Sequence, residues 1–204
     1  FTASNEWRGR KTFNSQSLHK TLGNKLYNPY QKVISIIGQT INRLISNTNS
    51  INTSSEKIGL KIYAYGFGDS ITRDKSVFPL FNLTDPIEFI QTDSNYDDNF
   101  FESFDEVLTK YNEIVKRITL SGPTSFSPII QKSIDIIKSK QQIISGNNNN
   151  SNVSIGNSTI CKYPFHILFI IADGKVSVEN ESDTIKSIIE ASEYPLSIVM
   201  VGVG

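Results

Sequence analysis

Small oxygen-bearing side chains occur in three separate loops of this sequence. The loops are Phe1–Asn5 (FTASN), Ser121–Phe126 (SGPTSF) and Ala172–Gly174 (ADG). Hydroxyl and carboxylate oxygens are the ligands that a hard cation such as Mg²⁺ prefers, and Mg²⁺ usually keeps some of its water. However, Ser and Thr in loops most often cap helices or close turns. Spacing alone therefore leaves both a cation site and ordinary loop capping open.

The elements that must position these loops follow from apolar periodicity. Helices are predicted over Asn28–Ile45, Phe101–Ile118, Pro128–Ile144 and Ser182–Ser192. Buried strands are predicted over Leu60–Gly68, Phe165–Ala172 and Leu196–Gly204, with a short edge strand over Ser76–Phe81. The first helix has the strongest start signal, because Asn28 can act as N-cap and Pro29 suits the first helical position.

Strands that alternate with helices predict an α/β fold. The expected architecture is three-layer and doubly wound, with a mostly parallel sheet and helices on both faces. Phe165–Ala172 is an almost continuous apolar run, which is typical of a strand covered on both faces. In such folds ligands bind outside the carboxyl ends of the strands, where the three loops are expected. The Asn-rich segment 146–160 is predicted to be a disordered surface insertion, since it cannot bury enough apolar surface to offset its ordering entropy.

Composition excludes several classes of protein. Lys plus Arg and Asp plus Glu both number 20, so nucleic acid is not an expected partner. The only cysteine, Cys161, cannot form an intrachain disulfide or supply the paired ligands of a zinc finger or RING. Neither a signal peptide nor a run long enough to cross a membrane is present in the sequence, so a cytoplasmic location without direct membrane insertion is expected.

Two enzymatic interpretations are weak. Gly66-x-Gly68 and Gly202-x-Gly204 follow predicted strands, but neither continues as the G-x-G-x-x-G of a dinucleotide site. Glycines that relieve crowding at strand ends explain them better, so no nucleotide is expected. The sequence also lacks a G-x-S-x-G elbow. We therefore expect no enzymatic activity from this chain.

Seven segments, in order along the chain, carry a resemblance to a known family. They are FTASNEW, SLH (Ser17–His19), NPYQKVISIIGQT, YGFGD (Tyr65–Asp69), LSGPTSFSPII, HILFIIADG and YPLSIVMVGVG. Together they resemble the von Willebrand factor A (vWA) domain of the copines, and more closely that domain in the plant RING-domain ubiquitin ligases. The resemblance implies one Rossmann-like vWA domain over residues 1–204, interrupted by the Asn-rich insertion.

The resemblance also implies a metal-ion-dependent adhesion site. In that family the site combines an Asp-x-Ser/Thr-x-Ser loop, a separate Thr and a later Asp, which correspond here to Thr2, Ser4, Thr124 and Asp173 as ligands of Mg²⁺ or Mn²⁺. The first aspartate would stand immediately before Phe1, on an apolar strand. The domain is accordingly expected to be truncated before its first strand and after residue 204, and the cation to be weakly bound or missing.

The function implied by the resemblance is recruitment of a protein partner. An acidic side chain of the partner would complete the coordination of the cation, and no bond would be broken. The residues expected on the partner-binding rim are Asn5, Trp7, Ser125 and Gly174. Trp7 is either an exposed contact or packed under the loop, with neither favoured, and His19 either caps a turn or lines the metal rim.

Two larger proteins could contain such a domain. In one, a RING lies outside this chain and the domain selects or scaffolds the substrates of a ubiquitin ligase. In the other, calcium-binding C2 domains upstream dock a copine on phospholipid, and the protein is then peripheral at the membrane.

Overall fold

The computed structural model describes residues 1–23, 26–51, 59–81, 99–146, 152–155, 158–161 and 165–204. The helices are α1 (Ser4–Thr12), α2 (Pro29–Ile51), α3 (Phe104–Ile114), α4 (Ser127–Gly146) and α5 (Glu181–Ala191). The strands are β1 (Tyr65–Gly66), β2 (Phe78–Pro79), β3 (Asn152–Ile155), β4 (Ser158–Cys161), β5 (His166–Ala172) and β6 (Leu196–Gly202). The chain is therefore α/β, as predicted. No described helix has the length and apolar character needed to cross a membrane.

The start of α2 follows directly from its sequence. The Asn28 side chain accepts a hydrogen bond from the Gln31 backbone N–H at 2.8 Å, and the Gln31 side chain accepts one from the Asn28 N–H at 2.7 Å. This reciprocal pair is a capping box, which satisfies two donors that the first turn of a helix leaves free. Pro29 is the first helical residue, as predicted. The helix runs past the predicted end at Ile45 to Ile51.

Strand β5 lies between two apolar clusters. Ile170 and Ala172 are buried in a cluster with α4 and α5, whereas Ile171 packs on a second cluster built largely from α2 and α3. This alternation is the period of two that a strand with a core on each face requires. The prediction of two covered faces thus holds for the second half of β5, but Ile167 in the first half is 47% exposed.

The sheet is less regular than predicted. Only β5 and β6 form a parallel pair among the described strands; β1–β2 and β3–β4 are separate antiparallel pairs. The strand predicted over Leu60–Gly68 is reduced to Tyr65–Gly66 and one isolated bridge between Ile62 and Phe101. Residues 60–67 line an apolar cavity of about 470 Å³ that they share with α2 and β5. The doubly wound three-layer arrangement stays a prediction.

Two further differences concern segments predicted as loops. Residues 4–12 form α1, where the sequence predicted a loop at Phe1–Asn5. Within the segment predicted to be disordered, β3 and β4 pair with each other in a sheet of their own. Residues 147–151 and 156–157 of that segment lie outside the described residues.

Candidate metal centre

Thr2, Ser4 and Asp173 meet at one point, although 169 residues separate Ser4 from Asp173. The Thr2 and Ser4 hydroxyl oxygens are 2.7 Å apart. The Ser4 hydroxyl donates to Asp173 Oδ1 at 2.9 Å, and Thr2 Oγ1 lies 3.4 Å from the same oxygen. In this hydroxyl–aspartate cluster Thr2 and Asp173 are 4% and 5% exposed, whereas Ser4 is half-buried.

Main-chain contacts fix the Thr2 side of the cluster. Thr2 forms a parallel bridge with Ser121, and the Ala3 N–H donates to the Ser121 carbonyl. Gly68 approaches Thr2 so closely that a Cβ on it would lie 2.5 Å from Thr2 Cγ2, and its φ of +82° also favours glycine. This confirms that a strand-end glycine relieves crowding here. Ser4 then begins α1, so the two hydroxyls meet across a helix start and not along an extended loop.

Asp173 follows β5 directly and has one unused oxygen. Its Oδ2 is buried and has no hydrogen-bond partner among the described residues. A buried carboxylate oxygen without a partner is costly, and such groups usually pair with a cation or coordinate a metal. No described cluster contains three His, Cys, Asp or Glu side chains. The donors are thus two hydroxyls and one carboxylate, a set that fits a hard divalent cation and not a soft one.

Thr124 lies in the neighbouring loop. Its N–H donates to Ser177 Oγ at 3.0 Å, and its carbonyl accepts from the Ser177 N–H at 3.0 Å and from Asn180 Nδ2 at 3.3 Å. These bonds tie the Thr124 loop to the loop that follows Asp173. No described hydrogen bond joins the Thr124 hydroxyl to Thr2, Ser4 or Asp173.

The four predicted rim residues divide into two pairs. Trp7 is 63% exposed on α1, so it does not pack under the loop. Gly174 is half-buried, and the Arg8 guanidinium lies beside it, with Nη2 3.7 Å from the position a Cβ would take. Asn5 and Ser125 are only 1% and 3% exposed. Neither offers surface to a partner in this structure, and their assignment to the rim stays a prediction.

His19 is part of the core, so both alternatives predicted for it were wrong. Its ring stacks between Phe1 and Tyr30, with centroid distances of 4.7 and 4.0 Å. Its Nδ1 is 2.8 Å from the Tyr111 hydroxyl, while the buried Nε2 has no partner in the described chain. Burial lowers the pKa of His19 well below 6.5.

One residue beneath the cluster, Tyr30, was missed by the sequence analysis. Tyr30 donates from its hydroxyl to Asn5 Oδ1 at 2.7 Å, and Asn5 Nδ2 donates to the Thr2 carbonyl at 3.0 Å. A usable signal was present, since Tyr30 precedes Ile34 by one helical turn on the apolar face of α2. A tyrosine on such a face buries a hydroxyl that needs a partner.

Comparison with known proteins adds an independent observation. Residues 17–204 match the protein family described as Copine. The chain belongs to the copine family. It is 38% identical over 213 residues to the E3 ubiquitin-protein ligase RGLG5 of Arabidopsis thaliana. The alignment covers all of this chain and 38% of that protein. This confirms the resemblance that the seven sequence segments carry.

Further relatives of this copine domain include another ubiquitin ligase and a copine family protein. The E3 ubiquitin-protein ligase RGLG2 of Arabidopsis thaliana is 37% identical over the whole chain and 35% of its own length. Copine family protein 2 of Caenorhabditis elegans is also 37% identical over the whole chain, which covers 2% of that protein. The chain thus spans less than half the length of the ligases that it matches. Their alignments include Thr2 and Ser4, which precede the family match.

Proposed function

We propose that this copine domain binds Mg²⁺ or Mn²⁺ at the hydroxyl–aspartate cluster and uses the cation to recruit an acidic side chain of a partner protein. The observation that carries the proposal is the buried, unpaired Oδ2 of Asp173 beside the hydroxyls of Thr2 and Ser4. Thr124 would add its hydroxyl from the neighbouring loop. When bound, the cation supplies an electrophilic centre for a carboxylate.

The surface around the cluster supports an acidic partner. Arg8 is exposed on α1 beside Gly174, next to Asp173, so a positive charge borders the proposed site. A guanidinium can pair with a carboxylate through two hydrogen bonds and raises the rate of encounter with an acidic surface. Trp7 adjoins Arg8 and offers the kind of exposed aromatic side chain that is enriched at interface hot spots.

A small carboxylate probe tests this proposal without a known partner. In the Mn²⁺-loaded protein, we expect paramagnetic broadening of the methylene protons of N-acetyl-aspartate amide. The matched probe N-acetyl-asparagine amide lacks the carboxylate and should stay sharp. Asp173→Ala should remove the difference between the probes. Equal broadening of both probes, or broadening that persists in Asp173→Ala, would contradict the proposal.

A second proposal concerns the function of the full-length protein, and the similarity to ubiquitin ligases favours it. We propose that this copine domain selects or scaffolds substrates in a RING-type ubiquitin ligase whose RING lies outside this chain. A C2-containing copine that docks on phospholipid is the alternative, and either protein would act in the cytoplasm. Zinc-ligand pairs downstream of Gly204 would support the first proposal, whereas C2 domains upstream of Phe1 would support the second.

The proposal assigns no ubiquitin transfer to this chain itself. With one cysteine, it cannot supply the paired thiolates of a RING. Discharge of ubiquitin from a charged conjugating enzyme should therefore remain at background when only residues 1–204 are added. Discharge above background would contradict this assignment.

A further inference from the structure

A chain of hydrogen bonds leads from a buried tyrosine to the hydroxyl–aspartate cluster. Asn5 Nδ2 donates to the Thr2 carbonyl at 3.0 Å, which can only accept. The amide oxygen of Asn5 therefore faces Tyr30, and the Tyr30 hydroxyl must be the donor in their 2.7 Å bond. Burial raises the pKa of Tyr30 well above 10, and the Asp173 carboxylate adds to the rise, so this hydroxyl keeps its proton.

The direction of the remaining bonds follows from counting protons. Asn5 Nδ2 also lies 3.3 Å from Thr2 Oγ1, where it again acts as donor. Ser4 gives its single hydroxyl proton to Asp173 Oδ1 at 2.9 Å. The single Thr2 proton can then go to Ser4 at 2.7 Å or to Asp173 Oδ1 at 3.4 Å, and the shorter contact favours Ser4. Every donor in the series points toward Asp173.

This direction decides what the cluster can bind. Thr2 Oγ1 and Ser4 Oγ each accept one hydrogen bond and donate one, which leaves one lone pair on each oxygen. Asp173 Oδ2 has no partner in the described chain. The unused positions on these three oxygens are all lone pairs, which can only accept, so the cluster suits a cation. A flipped Asn5 amide would instead draw the Thr2 proton away from Ser4.

We propose that Asn5, oriented by Tyr30, is a positioning residue that turns the lone pairs of Thr2 and Ser4 toward the bound cation. This inference rests on the proposed cation site and adds residues that do not touch the cation. Asn5 is 1% exposed and Tyr30 is 7% exposed, so water cannot easily replace either partner. Hydrogen-bonding partners of metal ligands commonly contribute about 10- to 100-fold to metal affinity.

The test compares two tyrosines that lose the same atom. Tyr30→Phe removes the hydroxyl bonded to Asn5 and keeps the ring stacked on His19. Tyr111→Phe is the matched control, since its hydroxyl is bonded to His19 and Asn28 instead. Both should lower the urea midpoint of unfolding to a similar extent, because each removes one buried hydroxyl. Calorimetric titration should give an Mg²⁺ Kd raised about tenfold in Tyr30→Phe and a change below about twofold in Tyr111→Phe.

A double variant separates positioning from general loosening of the fold. Because Tyr30 acts only through Asn5, Tyr30→Phe should add nothing to the Kd of Asn5→Ala. Equal Kd changes in the two tyrosine variants, or a Tyr30→Phe Kd like that of the unaltered protein, would overturn the inference. Asp173→Ala in the same series tests the cation site itself. If Asp173→Ala binds Mg²⁺ as well as the unaltered protein, the proposed function fails; if only the tyrosine result fails, the positioning role alone is wrong.

Discussion

Asp69 and Asp173 are both buried carboxylates in loops that follow strands, yet they are used differently. They are 4% and 5% exposed. Asp69 Oδ1 accepts from the Thr72 N–H at 3.0 Å and from the Thr72 hydroxyl, and its Oδ2 accepts from the Ile71 N–H at 3.3 Å. Asp173 accepts only through Oδ1, and Oδ2 has no partner among the described residues.

The difference separates a structural carboxylate from a binding one. Asp69 satisfies the donors of its own turn, so its charge contributes to the fold. Asp173 leaves part of its charge available, which costs stability in the free protein and favours a cation. Burial and strand-end position are the same in both loops. The two carboxylates differ in whether each of their oxygens accepts a hydrogen bond.

Asp173→Ala should produce the largest effect on cation binding. Without the carboxylate, the Mg²⁺ affinity should fall by at least about 100-fold, since the remaining donors are uncharged. The free energy of unfolding without metal should change by less than about 1 kcal/mol, because the lost hydroxyl bonds are offset by removal of a poorly compensated charge. Calorimetric titration and urea unfolding measure the two quantities. Unchanged affinity would show that Asp173 is not a ligand.

Asp69→Ala should reverse the pattern. The buried N–H and hydroxyl of Thr72 lose their acceptor, which should lower the free energy of unfolding by about 3 kcal/mol. Below the unfolding transition, the Mg²⁺ Kd should stay within about threefold of the unaltered protein, as expected for a residue that is not a ligand. A loss of affinity as large as that in Asp173→Ala would remove the distinction between the two loops.

His19 is a buried base whose Nε2 has no hydrogen-bond partner in the described chain. Its pKa in the folded chain lies well below the ordinary 6.5, mainly because it is buried. Below pH 6.5 the unfolded chain therefore takes up a proton that the folded chain does not, and stability falls as the pH falls. The loss due to His19 should begin below about pH 6.5 and grow with a slope of at most about 1.4 kcal/mol per pH unit.

His19→Phe keeps an aromatic ring at this position and should remove that part of the pH dependence. Urea unfolding at a series of pH values compares the slopes of the two proteins. His166, whose pKa is also lowered by burial, remains in both and cancels in the comparison. Parallel slopes would mean that folding does not lower the pKa of His19.

Two buried threonines test at a smaller scale whether a hydrogen-bond partner determines the contribution of a buried polar group to stability. The Thr72 hydroxyl is bonded to Asp69, whereas the Thr184 hydroxyl has no partner in the described chain, and both residues are 6% exposed. Thr72→Val should cost about 1 kcal/mol of unfolding free energy, and Thr184→Val should be neutral or stabilising by up to about 1 kcal/mol. Equal losses of unfolding free energy in the two variants would show that the presence of a hydrogen-bond partner does not determine the cost of removing these hydroxyls.

The elements that support the site were predictable where local signals were strong. The capping residues Asn28 and Pro29 located the start of α2, and the apolar run before Asp173 located β5. The strand predicted over Leu60–Gly68 was mostly wrong, because a strand also needs a neighbour to pair with. Residues 60–64 face the cavity instead, and local sequence does not reveal that.

The site itself was predictable in part. The resemblance named Thr2, Ser4 and Asp173, and the fold brings them together, although the binding of a cation there remains a proposal. Asn5 was predicted on the partner-binding rim, whereas it is 1% exposed in the structure. The contact that buries it comes from Tyr30, 25 residues away in another helix. Such a partner depends on how α1 packs against α2, which residue types alone do not specify.

Diffraction from crystals soaked in Mn²⁺ tests the central claim most directly. The account predicts an anomalous peak beside Asp173 Oδ2 and the hydroxyls of Thr2 and Ser4. The same soak of Asp173→Ala crystals should give no peak there. A peak at some other place, or none at this cluster in the unaltered protein, would contradict the claim that these residues hold a cation.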